Sequence, residues 1–200
     1  DQTLEVKELL TILGIPVIQS PGDAEKTCGY LQGKGLVHYT VTDDTDAFTF
    51  NIKKVIKFKQ TGKCLNIWDL DIMLRKLDLN YNEFVDLCIL AGCDYCPTIP
   101  RIGIISAFNL IKTHRNIETI LKNNPHLNLP DKYLEHFYSS RKIFMNNEDQ
   151  QFNNITLVLG ELNKDKMITY LSSKKYEDKT IKNMIKKTEN ARNHFYKNFN

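Results

Sequence analysis

No run of 18 apolar residues occurs in this chain, so no stretch of it reads as a helix that crosses a bilayer. No charged-then-apolar segment of the signal type opens it. An initiator Met is also missing, and DQTLEVKELL already reads as the interior of a helix, so the chain is expected to be a piece of a longer protein. Cysteine is sparse and odd in number, with five residues: Cys28, Cys64, Cys88, Cys93 and Cys96. An odd count without a signal segment favours a reducing compartment. CDYC has the spacing of a zinc or redox pair, but no second pair exists and the nearest His, His114, is not at ligand spacing. These thiols are read instead as semi-buried residues on a helix. No Ser-His-Asp or Cys-His arrangement and no internal repeat is found.

What is present is ordinary in amount and uneven in placement. The 200 residues are 42% hydrophobic, enough for the core of one domain, with or without a helical appendage. Net charge is +3, but residues 161–200 hold ten basic and five acidic groups, which leaves the rest of the chain at −2. A basic tail suits an anionic partner such as nucleic acid, and its ordinary reading is a solvated helix face.

The first half alternates strand and helix patterns. LEVKELLTILG has helical spacing and stops at Gly14. IPVIQ is a short apolar run read as a buried strand. In SPGDAEKTCGYLQGKG, Ser20 can cap a helix, with Pro21 at its first position and Asp23 three after the cap. LVHYTVT, KKVIKFKQ and CLNIW read as strands, with TGK as a turn between the last two. DLDIMLRKL is a helix with Asp69 or Asp71 near its start. This order indicates an α/β fold with a parallel sheet. From Asn82 onward five segments read as helices, starting with NEFVDLCILAG and ending with DKTIKNMIKKTENAR, and NNPHLNLP is the one obvious linker.

The acids stand at the ends of the strands. Asp23 and Glu25 follow the first, Asp43, Asp44 and Asp46 follow the second, and Asp94 comes just past an apolar helix, in LAGCDY. Each group alone has an ordinary explanation: acids favour a helix's first turn, and Asp forms turns and caps. Together they are costly, because close carboxylates repel unless a cation offsets them. In an open parallel sheet the ligand site lies beyond the carboxyl ends of the strands, and carboxylate oxygens suit Mg²⁺ or Mn²⁺. Two such ions about 3.5–4 Å apart would suit in-line attack of water on a phosphodiester.

GIPVIQSPGDAEKTCGYLQGKGLVHYTVTDDTDAFTF followed by NEFVDLCILAGCDYCPTIPRIGIISAFNLIK resembles the flap endonuclease (XPG) family of structure-specific 5′-nucleases. The resemblance covers residues 5–125 and continues more weakly to about residue 190. It implies a PIN-like α/β nuclease core with a parallel sheet and helices on both faces, carried here by residues 1–80. An all-helical DNA-binding region with a helix-three-turn-helix then occupies residues 81–200. It implies Mg²⁺-dependent endonuclease and 5′-3′ exonuclease action on branched DNA in replication or repair, with two ions. Asp23 and Glu25 would be ligands of the first ion, and Asp44, Asp46 and Asp94 of the second, with Asp43 behind them. The first of these is Asp where the family has Glu, one methylene shorter.

The resemblance also places Asp23, Gly92, Asp94, Arg101, Gly103 and Ile104 against DNA, with K⁺ bound between the hairpin TIPRIGIISAFNLIK and a phosphate. Arg101 stands where the family has the first glycine of its hairpin loop, and IIS replaces a more basic stretch. The family's N-terminal part, with two further metal carboxylates and a helical arch, has no counterpart here. A sliding clamp is a family partner, but HFYKNFN lacks the leading Gln of the clamp motif. The substrate points to the nucleus or another DNA-containing compartment. Two other readings stand beside this one: a non-catalytic DNA-binding module, and a PIN-like ribonuclease.

Overall fold

The computed structural model of the protein describes residues 2–58, 65–146, 152 and 154–199. The chain forms two compact units, residues 1–19 with 154–200, and residues 20–153. The longer unit holds the only strands among the described residues: β1 (Thr40–Val41), β2 (Lys54–Phe58) and β3 (Leu65–Asp69). The sheet order is β1-β2-β3.

The sheet is mixed rather than wholly parallel. β1 pairs with β2 in parallel, Thr40 opposite Val55. β2 pairs with β3 antiparallel, Val55 opposite Trp68. The reason is loop length: a parallel return needs a crossover of about a dozen residues, and only 59–64 separate β2 from β3. The expected TGK turn lies outside the described residues. IPVIQ, expected as a buried strand, makes no strand pairing, and Ile15 and Val17 are about 40% exposed.

Around the sheet lie α2 (Ala24–Gly33), α3 (Leu70–Leu77) and a 3₁₀ turn (Asp46–Phe50). Asp69 caps α3, its carboxylate accepting from the Ile72 amide at 3.0 Å. The cap of α2 is Asp23, not Ser20. The Ser20 hydroxyl instead donates to the Asp23 carbonyl, which shifts the start of the helix three residues along. Four helices follow: α4 (Tyr81–Ala91), α5 (Ile104–His114), α6 (Ile117–Asn123) and α7 (Tyr133–Met145). A capping box starts α4, with the Asn80 side chain on the Glu83 amide and the Glu83 carboxylate on the Asn80 amide.

Two apolar clusters hold this unit. Ala47, Phe48, Ile52, Val55, Leu70 and Phe84 form one. Residues of α4 to α7, among them Ile89, Leu90, Ile111, Ile120, Phe137 and Phe144, form the other together with Phe50. The 3₁₀ turn therefore has one phenylalanine in each cluster. Under the second cluster runs an ion network. Arg141 grips buried Asp86 with two hydrogen bonds of 2.8 and 2.6 Å and reaches Glu118 at 2.9 Å. It ties α7 to α4 and α6.

The other unit contains α1 (Gln2–Ile12), α8 (Lys164–Ser173) and α9 (Asp178–Phe199). Ile12, Met167, Leu171 and Ile181 form its core. Arg192 on α9 donates to the Leu13 carbonyl at 2.8 Å and also to the Gly160 carbonyl. α8 was not read from the sequence, though its cap is present: Asn163 accepts from the Lys166 amide at 3.0 Å. No described helix is long and apolar enough to cross a membrane.

Candidate metal centre and hairpin

Asp46 opens the 3₁₀ turn and is the centre of the acidic site. Its pKa is raised, first by burial and then by Asp44, Asp94 and Glu25 in that order. No described Lys or Arg pairs with it. These carboxylates come from three separate stretches: α2, the loop after β1, and the loop after α4. Asp23 joins through a different partner. The Tyr95 hydroxyl has its pKa raised, first by burial and then by the Asp23 carboxylate, with Asp46 and Asp94 adding to it.

Local bonds shape the loop that carries Asp44 and Asp46. The Thr42 hydroxyl donates to Glu25 at 3.4 Å and accepts from the Asp44 amide at 3.1 Å. Asp44 accepts from the Asp46 amide at 2.9 Å, so the turn-forming role of a loop Asp is also present. Asp43 engages through its carbonyl, which accepts from Lys57 at 2.8 Å.

The segments meet through contacts that no local pattern shows. Gly29 faces the 3₁₀ turn, and a Cβ there would run into the Phe50 carbonyl. Its missing side chain lets α2, with Glu25 one turn earlier, lie against the turn that begins at Asp46. The sequence reading had these acids meet through neighbouring strands. The helix-to-turn contact brings them together instead, because IPVIQ pairs with no strand. Gln32 fastens the same helix to β2, its side-chain oxygen accepting from the amides of Lys53 at 2.5 Å and Lys54 at 2.9 Å. Phe144 packs edge-on against Phe50 at 5.2 Å and Tyr95 at 5.3 Å. One buried ring thus backs both the Asp46 turn and the Asp94 loop. Gly29, Gln32, Tyr95 and Phe144 are site-shaping residues that the sequence reading missed. Gly29 and Gln32 carried no signal, and Tyr95 was visible only as the neighbour of Asp94.

The all-oxygen donor set fits a hard divalent cation. It is an open set: among the described residues no three acidic, His or Cys side chains stand close enough to ligate one ion. CDYC is a tight turn after α4, not part of the helix, closed by the Cys96 amide donating to the Cys93 carbonyl at 3.5 Å, with both thiols free. Burial pushes the Cys96 thiol up to about 11 and the Cys88 thiol up to about 12, so both are inert small apolar groups at neutral pH.

A family model, the XPG I-region, matches residues 14–94. Flap endonuclease 1 of Caenorhabditis elegans is 35% identical over 96% of this chain and 51% of its own length. Among solved structures, flap endonuclease-1 from Methanococcus jannaschii superposes with a TM-score of 0.77 at 24% identity, over 92% of this chain and 56% of that one. The Holliday junction-resolving enzyme GEN1, solved with product DNA and Mg²⁺, gives 0.63 at 17% identity, over 82% and 48%. The chain belongs to the flap endonuclease (XPG) family. It spans about half the length of the curated relatives it matches.

In this XPG chain the hairpin is α4, the loop 92–103 and α5. Gly92 has φ of +126°, and a Cβ there would press on the Thr98 methyl at 3.1 Å. Arg101 has φ of +69°, the left-handed region that glycine enters without strain. The family's glycine is gone at this position, but the backbone conformation that suits it is present. Gly103 caps α5 without a side chain, so the first amides of that helix receive no side-chain acceptor from their cap. Ile104 and Ile105 are exposed beside them, at 58% and 72%.

Proposed function

We propose that this chain is the internal and C-terminal part of a Mg²⁺-dependent nuclease that hydrolyses phosphodiester bonds in branched or flapped duplex DNA. One observation carries the reading. Asp46 sits half-buried among carboxylates from three stretches of chain, with no described cation beside it. A protein that only bound DNA would have no physical use for that repulsion.

In this reading Asp23 and Glu25 would hold one ion, and Asp44, Asp46 and Asp94 would draw in from their open arrangement around a second, with Mn²⁺ as a substitute. A divalent cation bound there supplies an acidified water and a counter-charge for the leaving oxygen. The uncapped amides at the start of α5 receive a phosphate, as a helix N-terminus does, with K⁺ in the loop before it. Arg101 reaches the backbone, while Gly92 and Gly103 let it approach closely. Asp23, Asp94 and Ile104 lie along the same path. Residues 1–80 then act as nuclease core and 81–200 as DNA grip, in a DNA-containing compartment such as the nucleus. A sliding clamp remains a candidate partner for the full protein.

The test is 5′-flap cleavage by the full-length protein, with and without Mg²⁺. Asp44→Ala with Asp94→Ala should abolish cleavage and leave flap-DNA binding in place. A double variant that cleaves at the normal rate would sink the metal assignment. Preference for single-stranded RNA over flap DNA would point to the ribonuclease reading. Salt-sensitive duplex binding that Mg²⁺ barely alters, without cleavage, would point to the binding module.

A further inference from the structure

Thr42 follows β1 and stands between two groups of acids. Its hydroxyl oxygen accepts from the Asp44 amide at 3.1 Å, and its proton goes to the Glu25 carboxylate at 3.4 Å. Chemistry fixes the direction of both bonds: an amide N–H can only donate, and a carboxylate can only accept. The chain runs one step further, since Asp44 accepts from the Asp46 amide at 2.9 Å. Three hydrogen bonds thus link Glu25 on α2 to Asp44 and Asp46 in the loop after β1. Within that loop the Asp43 carbonyl accepts from Lys57 at 2.8 Å, which pins the loop to β2. Among the described residues no Lys or Arg pairs with Glu25.

We propose that Thr42 is a positioning residue for the metal centre: its hydroxyl ties the Glu25 carboxylate to the loop that carries Asp44 and Asp46, and so sets one candidate ion site against the other. The close approach at Gly29 brings α2 to the acidic turn but leaves the direction of the Glu25 side chain open. Thr42 supplies that direction. A lysine in its place would hold Glu25 and also cancel its charge. A hydroxyl donates to one carboxylate oxygen and leaves the charge and the other oxygen for a cation. At 3.4 Å the bond is long for a hydroxyl donor, so it adds little to the metal-free fold. The inference rests on reading the cluster as a metal centre.

The experiment uses the full-length protein and Mn²⁺ as the probe, with binding read by electron paramagnetic resonance and stability read by melting without metal. Thr42→Val keeps the branched shape and removes the hydroxyl. Mn²⁺ affinity should fall about tenfold, the lower end of the loss for residues that orient metal ligands. The metal-free Tm should stay close to the parent's, because Val suits the end of a strand and Asp44 lies in an exposed loop where water can reach its amide. Thr42→Ser keeps the hydroxyl and should keep the affinity. In a Glu25→Ala background, Thr42→Val should cost much less than it does in the parent.

Unchanged affinity in Thr42→Val would overturn the role of Thr42 and leave the metal centre standing. So would a loss as large in the Glu25→Ala background as in the parent, since the hydroxyl would then not act through that carboxylate. Affinity and Tm that fall together, or affinity that Thr42→Ser also loses, would mark a structural threonine and overturn the role equally. Full-length protein that binds no Mn²⁺ at all would overturn the metal centre itself, and this inference with it.

Discussion

Asp86 and Asp46 are both removed from water in the same compact unit, and burial raises the pKa of both. Their surroundings are opposite. Asp86 is 3% exposed on α4 and meets the Arg141 guanidinium in two short hydrogen bonds. The charged groups that act on Asp46 are all carboxylates. A buried acid with a bound cation of its own is part of the architecture. A buried acid among like charges stores repulsion that a ligand can relieve. The difference sets a scaffold carboxylate apart from a candidate cation ligand.

The largest expected effect breaks the functional side of this comparison. In the full-length protein Asp44→Ala with Asp94→Ala should cut flap cleavage by more than about a hundredfold, beyond the usual loss for residues that only support metal ligands. The metal-free double variant should melt close to the parent, since the repulsion it removes offsets the lost bond between Asp44 and the Asp46 amide. A large drop in Tm would mean these acids serve the fold.

Asp86→Ala breaks the scaffold side. It leaves Arg141 in a mostly buried site with only Glu118, and should cost about 3 kcal/mol, near the low end for stripping one partner from a buried pair. Urea unfolding measures this, and cleavage per folded molecule should be unchanged.

Gly29→Ala tests the joint between α2 and the acidic turn. The added methyl collides with backbone, so a loss of about 1–3 kcal/mol is expected. Weaker Mn²⁺ binding should accompany it. A variant of normal stability and affinity would mean that α2 does not position Glu25.

The smallest effect is at Glu118, whose carboxyl is held below its usual range chiefly by the Arg141 hydrogen bond. A depressed folded-state pKa adds stability above the ordinary Glu value of about 4.3, and that stability is lost as pH falls through the lower folded value. Glu118 is 44% exposed, so Glu118→Gln should cost less than about 1 kcal/mol at pH 7. The difference from the parent should fade below about pH 4. Paired melting curves across pH 3–7 would show it.

The helical half was largely legible because its signals are local. Asn80 and Glu83 make their box, Asn116 caps α6, and the apolar spacing of α4 and α5 marks their buried faces. The strand half was legible in composition but not in pairing. Val55 sits fully buried on β2 as its neighbours suggest, yet the direction of β3 follows from loop length and the idle IPVIQ from want of a partner.

The sequence by itself determined the chemistry on offer: acids at the ends of apolar runs, their order, the hairpin after Asp94, and a residue at 101 that the turn must tolerate. Only the tertiary structure decided how those residues act. It chose Asp46 as the acid that others crowd, gave Asp86 an arginine, and used Gly29 and Phe144 to bring the segments together. The reason is physical. Propensity and capping are exchanged between residues a few positions apart, whereas burial and charge depend on neighbours that the chain brings in from far along its length.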